Sequence, residues 1–305
     1  MTSPPDRLLR RLEWQLGRRL DGRLQGAYRT VWHGGGLDFT DLRAYTPEDD
    51  VRHIDWNVTA RLDDPHVRQY TEDRELTAWL VIDKSASMRF GGYEGKESAA
   101  TELAVSLARV VSRGGNRVGA ILFDNAAQRV IPPRAGRDQV LRIAHELLKP
   151  PATAEPKRFR RATEPPAAGT DLAAMLRLAA TTTARRRCLI FVMSDFIGAP
   201  GWHRPLGQLT HRHEVVVIRV VDPAELVLPD LGVILVEDAE TGEQLLVDTG
   251  DPVLRGRLAD QVRAREAGLA DVMRRAGVAN HRITTDQDLM AALVHLVQAS
   301  GRGRR

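Results

Sequence analysis

Short apolar runs alternate with amphipathic stretches along most of this chain, and that alternation restricts the fold more than any other feature. Leu80-Val81-Ile82, Val118–Phe123 and Leu189–Met193 carry no polar residue on either face, Val215–Val221 carries only Arg219, and a shorter run lies near Val278–Ile283. A strand that is apolar on both sides must be covered on both sides, which is the condition of a parallel sheet sandwiched between helices. The intervening segments have helical spacing. Ala100, Leu103, Ala104, Leu107, Ala108 and Val111 fall on one stripe, and Gly114-Gly115 follows as a stop signal. Gln139–Leu148, Leu172–Thr183, and residues about 253–276 and 287–299 read as further helices. The expected fold is therefore α/β, an open, doubly wound, mostly parallel sheet. Gln128–Ile131 reads as an antiparallel edge strand stopped by Pro132-Pro133.

Two regions stand outside the alternation. Residues 1–75 form an N-terminal unit in this reading. It consists of an amphipathic helix over about 6–24 (Leu8, Leu9, Leu12, Leu16, Leu20) and then a charged and aromatic stretch from Gly34 to Asp73, expected to be irregular or a small β element. The core domain then occupies about 76–300. Within it, Val233–Glu237 and Gln244–Val247 flank Glu240-Thr241-Gly242-Glu243 and read as an inserted β-hairpin, about 231–249.

Composition limits the function classes. With 305 residues, 43% hydrophobic and 28% charged, the chain resembles a soluble globular protein. The net charge of +4 is mild. The basic ends (Arg7, Arg10, Arg11, Arg18, Arg19 and Arg23; then Arg302, Arg304 and Arg305) read as a solvated helix face and a frayed tail rather than a nucleic-acid surface. The single cysteine, Cys188, opens an apolar run and reads as a buried small side chain. Met1–Arg11 is charged and lacks a signal-peptide core, and no stretch approaches a membrane span, so the expectation is a cytoplasmic protein.

The chemistry gathers where the strands end. Asp83-Lys84-Ser85-Ala86-Ser87 follows the first buried strand at once, Gly169-Thr170-Asp171-Leu172 opens a helix, and Ser194-Asp195 closes Leu189–Met193. In a doubly wound fold all three segments reach the carboxyl rim of the sheet, where ligands bind. One carboxylate and two hydroxyls at alternate positions suit a hard cation that takes oxygen ligands. Taken singly, each segment also serves as a turn or a helix cap. Their coincidence on one rim favours a site.

These residues resemble the metal-ion-dependent adhesion site of the von Willebrand factor type A fold, with its Asp-x-Ser-x-Ser loop, a threonine from a second loop and an aspartate from a third. The resemblance implies a metal site of Asp83, Ser85, Ser87, Thr170 and Asp195. The implied ion is Mg²⁺, with Mn²⁺ and Ca²⁺ left open, and an acidic side chain of a client protein completes its shell. Upstream, Gly36-Leu37-Asp38-Phe39, Asp41-Leu42-Arg43-Ala44-Tyr45, Asp49-Asp50-Val51-Arg52-His53-Ile54-Asp55-Trp56 and Thr59-Ala60-Arg61 resemble the domain-of-unknown-function-58 family, with Glu48 in place of the usual glycine. That likeness implies a partner of a MoxR-type AAA+ ATPase that helps assemble, mature or remodel protein complexes. In the same block, Arg43, Arg52 and Arg61 among Asp49, Asp50 and Asp55 favour ion pairs over a second metal site, packed around Trp32, Tyr45 and Trp56 as anchors.

Enzyme signatures are missing. A haloacid-dehalogenase-like phosphatase needs a second aspartate where Ser85 stands. The chain has no Gly-x-x-x-x-Gly-Lys-Ser/Thr phosphate loop, and no Gly-x-Ser-x-Gly elbow around Ser85 or Ser87. His211-Arg212-His213 reads as a pair of surface histidines without zinc spacing. A non-enzymatic binding module is the expectation; a Mg²⁺-dependent hydrolase and a scaffold with a vestigial site are the alternatives.

Overall fold

A computed structural model describes residues 37–302 apart from 48, 63, 73–75, 92–94, 125–126, 151–169 and 238–242. The helix expected over about 6–24, Trp32 and most of the loop over Pro150–Pro166 lie outside the described residues. The described elements begin with β1 (Leu37–Ala44), a helical turn (Val51–His53), α1 (Trp56–Leu62) and β2 (His66–Glu72). The sheet-forming part follows with β3 (Thr77–Asp83), α2 (Lys96–Arg113), β4 (Arg117–Asp124), β5 (Ala127–Arg134), α3 (Arg137–Leu147), α4 (Leu172–Thr183), β6 (Leu189–Ser194), α5 (His203–Arg212) and β7 (Glu214–Val221). Then come α6 (Pro223–Leu226), β8 (Val233–Glu237), β9 (Gln244–Asp248), α7 (Pro252–Arg275), β10 (Ala279–Thr284) and α8 (Leu289–Arg302).

The central sheet has six strands in the order β10-β7-β6-β3-β4-β5. All neighbours are parallel except β4 and β5. The chain starts in the middle at β3, winds to one side through β4 and β5, and returns to build β6, β7 and β10 on the other side. The order therefore reverses between β3 and β6, and at such a switch point the two crossover connections diverge and open a crevice.

Both faces of the sheet are covered, as the apolar runs require. Alternate residues of β3 serve opposite layers. Ala78, Leu80 and Ile82 pack with Leu103, Leu107 and Val111 of α2, Ile143 of α3 and Leu293 of α8. Trp79 and Val81 pack with Leu172 and Leu176 of α4, Leu206 of α5 and Met273 of α7. Trp79 lies opposite Gly119 of β4 in register, and a Cβ built there would meet the indole at 2.9 Å. A glycine at this central position is thus a packing requirement.

One strand end differs from its expected place. β5 does not stop before Pro132-Pro133 but runs through both to Arg134. It is the edge strand, where a missing N–H costs no ladder bond, and its register slips between Val118 and Ala120. The buried Gln139 side chain closes that irregularity by donating to Val118 O at 2.8 Å and Pro132 O at 2.9 Å.

Outside the main sheet, β1 and β2 form a two-stranded antiparallel ribbon, and β8 and β9 an antiparallel hairpin. Leu235 and Leu246 face each other across this hairpin and are both mainly exposed. Between β1 and β2, Arg43 binds Asp49 at 2.7 and 2.5 Å, and the guanidinium holds that carboxyl well below the usual range. Arg52 pairs with Asp50, and Asp55 accepts from Asn57 N and Val58 N to start α1. Trp56, expected as an anchor, is instead 68% exposed at the first position of α1.

Replacing Gly119 with Ala should cost about 1–3 kcal/mol of unfolding free energy, since the new methyl displaces Trp79 or the backbone of β5. Urea unfolding measures this; an unchanged midpoint would mean the indole has room to move.

Candidate functional site

The site lies at the carboxyl ends of β3 and β6, on the two sides of the switch point. Asp83 is the last residue of β3, and Asp195 directly follows β6. Both are 1% exposed. Ile82 pairs with Met193 in register, so Asp83 sits beside Ser194, whose hydroxyl donates to Asp83 Oδ2 at 2.7 Å. Asp83 Oδ1 accepts from Ser85 N at 2.9 Å. This local turn brings the Ser85 and Ser87 hydroxyls within 3.1 Å of each other. Ser87 begins a single helical turn, Ser87–Arg89. Lys84, between the acidic and hydroxyl residues, is directed elsewhere: it binds Glu97 and donates to Leu147 O at the end of α3.

Thr170 comes to the same rim by a backbone clasp. Its carbonyl accepts from Ala199 N at 3.1 Å in the loop after β6, and from Leu172 N at 3.0 Å at the start of α4. A Cβ on Gly198 would lie 2.4 Å from that carbonyl, so the two loops close only over a glycine. Thr170 itself is fully buried. Asp171 caps α4 through Ala174 N. On the other arm, Asp195 Oδ1 accepts from Ile197 N at 2.9 Å, and Phe196 takes up a left-handed backbone with φ 59°. A phenylalanine is rarely held there, and such strain of order 1 kcal/mol persists only where packing enforces it. Here the ring packs edge-on against Trp202 at 5.1 Å, and Phe196 N is bound by Ser194 Oγ.

Burial and the negative charge of Asp195 push the Asp83 carboxyl up to about 6, against the pull of hydrogen bonds from Ser194 and Ser85. Two further charged residues join the cluster. Lys96, the first residue of α2, is fully buried and donates to Asp195 Oδ2 at 2.7 Å and to Glu225 Oε1 of α6 at 2.5 Å. Two of the cluster's three carboxylates, Asp195 and Glu225, thus share one ammonium, and Asp83 is held by neutral donors. That deficit of positive charge, with an all-oxygen set of two carboxylates and three hydroxyls, fits a hard divalent cation. Among the described residues no three His, Cys, Asp or Glu side chains gather as a metal cluster, so any ion at this rim would depend on the hydroxyls beside the two aspartates, and Asp49, Asp50 and Asp55 do not form a second site.

The five residues singled out from the sequence come from three loops that the topology carries to one rim. Lys96, Ser194 as a hydrogen-bond donor, and Glu225 were missed. Lys96 left a signal: a lysine in the first turn opposes the helix dipole and needs a carboxylate nearby. His213 corrects another expectation. It is buried, 3.2 Å from Thr183 Oγ1 and accepting from Cys188 N, and burial holds its ring below the usual histidine range. It ties α4 to β6 and is not a surface residue.

A six-stranded sheet of this order, with an antiparallel edge strand and an Asp-x-Ser-x-Ser loop at the switch point, defines a von Willebrand factor A-like domain. The chain belongs to the family described as "Protein of unknown function DUF58", which matches residues 41–268. The uncharacterized protein Rv1480 of Mycobacterium tuberculosis is 38% identical over 97% of this chain and 89% of its own length. Among solved structures, an aerotolerance-related membrane protein of Bacteroides fragilis is 16% identical, covering 74% of this chain and 99% of its own, with a TM-score of 0.46. The SpRpn10 VWA domain is 13% identical, covering 73% and 97%, with a TM-score of 0.38. The fold assignment rests on strand order and not on these partial overlaps. The expectation of a cytoplasmic protein is corrected: a domain of related layout occurs in a membrane protein, so a sheet domain by itself does not set the compartment. Among the described residues no helix is long and apolar enough to cross a membrane.

Two outcomes follow for the site. Between pH 4 and 6 the folded, chelator-treated chain keeps a proton on Asp83 that the unfolded chain has released, so stability falls as pH rises through this window and stays lower above it. Asp83→Asn should remove that slope and gain up to about 3 kcal/mol at pH 7, at roughly 1.4 kcal/mol per pH unit. Urea midpoints of both proteins at pH 4 and 7 measure it; parallel slopes would refute it. Gly198→Ala should cost about 1–3 kcal/mol by forcing the Thr170 loop away. Thermal unfolding reads the loss.

Proposed function

We propose that this chain is a divalent-cation-dependent protein-binding module that works with a MoxR-type AAA+ ATPase in assembling, maturing or remodelling protein complexes. Asp83, Ser85, Ser87, Thr170 and Asp195 would hold the cation, and Mg²⁺ suits an all-oxygen set best. The bound ion would supply an electrophilic centre for a carboxylate of the client. The observation that carries this reading is the pair of buried carboxylates at the switch point, beside three hydroxyl-bearing residues and short of positive charge.

The chain's own residues support recognition over turnover. Each oxygen of Asp83 and Asp195 already accepts a hydrogen bond, from Ser85 N, Ser194 Oγ, Ile197 N and Lys96 Nζ. These bonds orient the carboxylates as fixed ligands for an ion. The von Willebrand factor A-like fold agrees with a protein-interaction role.

Pull-down of the cognate ATPase, and of clients, tests the proposal. Capture should fall at least tenfold in EDTA, return with Mg²⁺, and be lost in Asp83→Ala while circular dichroism stays native. Capture that is indifferent to both EDTA and Asp83→Ala would refute the metal-dependent mechanism. Metal-dependent capture of clients but not of the ATPase would refute the partnership alone.

A further inference from the structure

Lys96 is a cation of the rim that the proposed metal binding does not use. It is fully buried, and its ammonium is shared between two elements: Asp195 in the loop after β6 and Glu225 in α6. Its position opposes the helix dipole, because it is the first residue of α2 behind a glycine cap that offers no side chain. The Phe90 ring, 5.8 Å away, adds a weak attraction. A cation placed there at such cost is held by its two carboxylates.

Glu225 is itself anchored. Its Oε2 accepts from Asp222 N, completing a capping box, while Asp222 Oδ2 accepts from Thr285 Oγ1 at 3.0 Å. Glu225 also borders a cavity of about 480 Å³ between α6 and α7, lined with Leu226, Val227, Leu258 and Val262. A continuous chain of contacts thus runs from Asp195 through Lys96 to Glu225 and the cavity wall.

We propose that Lys96 is the resident cation of this rim: it competes with a divalent ion for Asp195 and, through Glu225, links occupancy of the ion site to the position of α6 and the cavity beside it. The inference rests on the metal reading above. A dication drawn to Asp83 and Asp195 repels the ammonium and weakens its bond to Asp195. The strap between the β6 loop and α6 then slackens. The same linkage runs in reverse: a partner segment that pulls α6 away takes Lys96 with it and leaves Asp195 free for the ion.

Calorimetric titration with MgCl₂, and hydrogen exchange at the amides of Ala224, Glu225 and Val227, test this on the full chain. Lys96→Met should bind Mg²⁺ at least tenfold more tightly than wild type. Glu225→Gln, which leaves the ammonium to Asp195 alone, should bind at least threefold more weakly. Mg²⁺ should speed exchange at the three amides several-fold in wild type and leave it unchanged in Lys96→Met, whose α6 already exchanges fast. Unchanged or weaker affinity in a folded Lys96→Met would overturn the competition. Wild type that binds Mg²⁺ without any response in α6 would overturn the link. Should Lys96→Met not fold, the Glu225→Gln titration and the wild-type exchange decide alone. Absence of Mg²⁺ binding in all three proteins would instead sink the metal reading, and this inference with it.

Discussion

Two carboxylates end neighbouring parallel strands in a place that water barely reaches. Asp83 and Asp195 are each 1% exposed, and the charge of one raises the proton affinity of the other. Burying like charges side by side costs free energy that no amount of apolar packing nearby returns. The surroundings answer that cost piece by piece. Ser194 and the backbone of Ser85 and Ile197 donate to the carboxylates, and Lys96 reaches in from α2. The left-handed Phe196 and the glycine at 198 allow the loops to close around them.

Strand order is what makes the arrangement stable enough to carry. β3 lies at the centre of the sheet with β4 on one side and β6 on the other, and its apolar residues supply both core layers. Strain at the rim is therefore borne by two central, buried strands, β3 and β6. Enzymes and binding proteins commonly spend stability in this way at functional sites. The rim also has reserves that the hairpin lacks: β8 and β9 pair only with each other and expose leucines on the face of Leu235 and Leu246.

Much of this could be read without coordinates, for a physical reason. A strand buried on both faces has a composition that few other elements share, so β3, β4, β6 and β7 were evident, and residues just after such strands must lie on one rim. Asp83 and Asp195 were placed on the rim that way; Ser85, Ser87 and Thr170, which opens a helix, joined them through the resemblance to the adhesion-site motif. Features set by partners distant in sequence were not legible. Lys96 and Glu225 lie 129 positions apart, and nothing local to either names the other. His213 looked like one of a solvent-facing pair, yet Thr183 and Cys188 draw it inside. Pro132-Pro133 looked like a stop because the sequence does not say which edge of a strand faces solvent.

The bond between Ser194 and Asp83 spans 111 residues, and this separation has a consequence during synthesis. At translation rates of 5–20 residues per second, the strand that will flank Asp83 emerges about 5–20 s after it. Meanwhile β3 can pair with β4, and α2 can cover one face. The other edge of β3 must wait, open along its whole length and ending in an unpartnered carboxylate. An ionised aspartate at the end of an open strand discourages edge-to-edge association of the kind that leads nascent chains to aggregate. The residue whose burial is costly in the finished fold is thus a safeguard while the fold is incomplete.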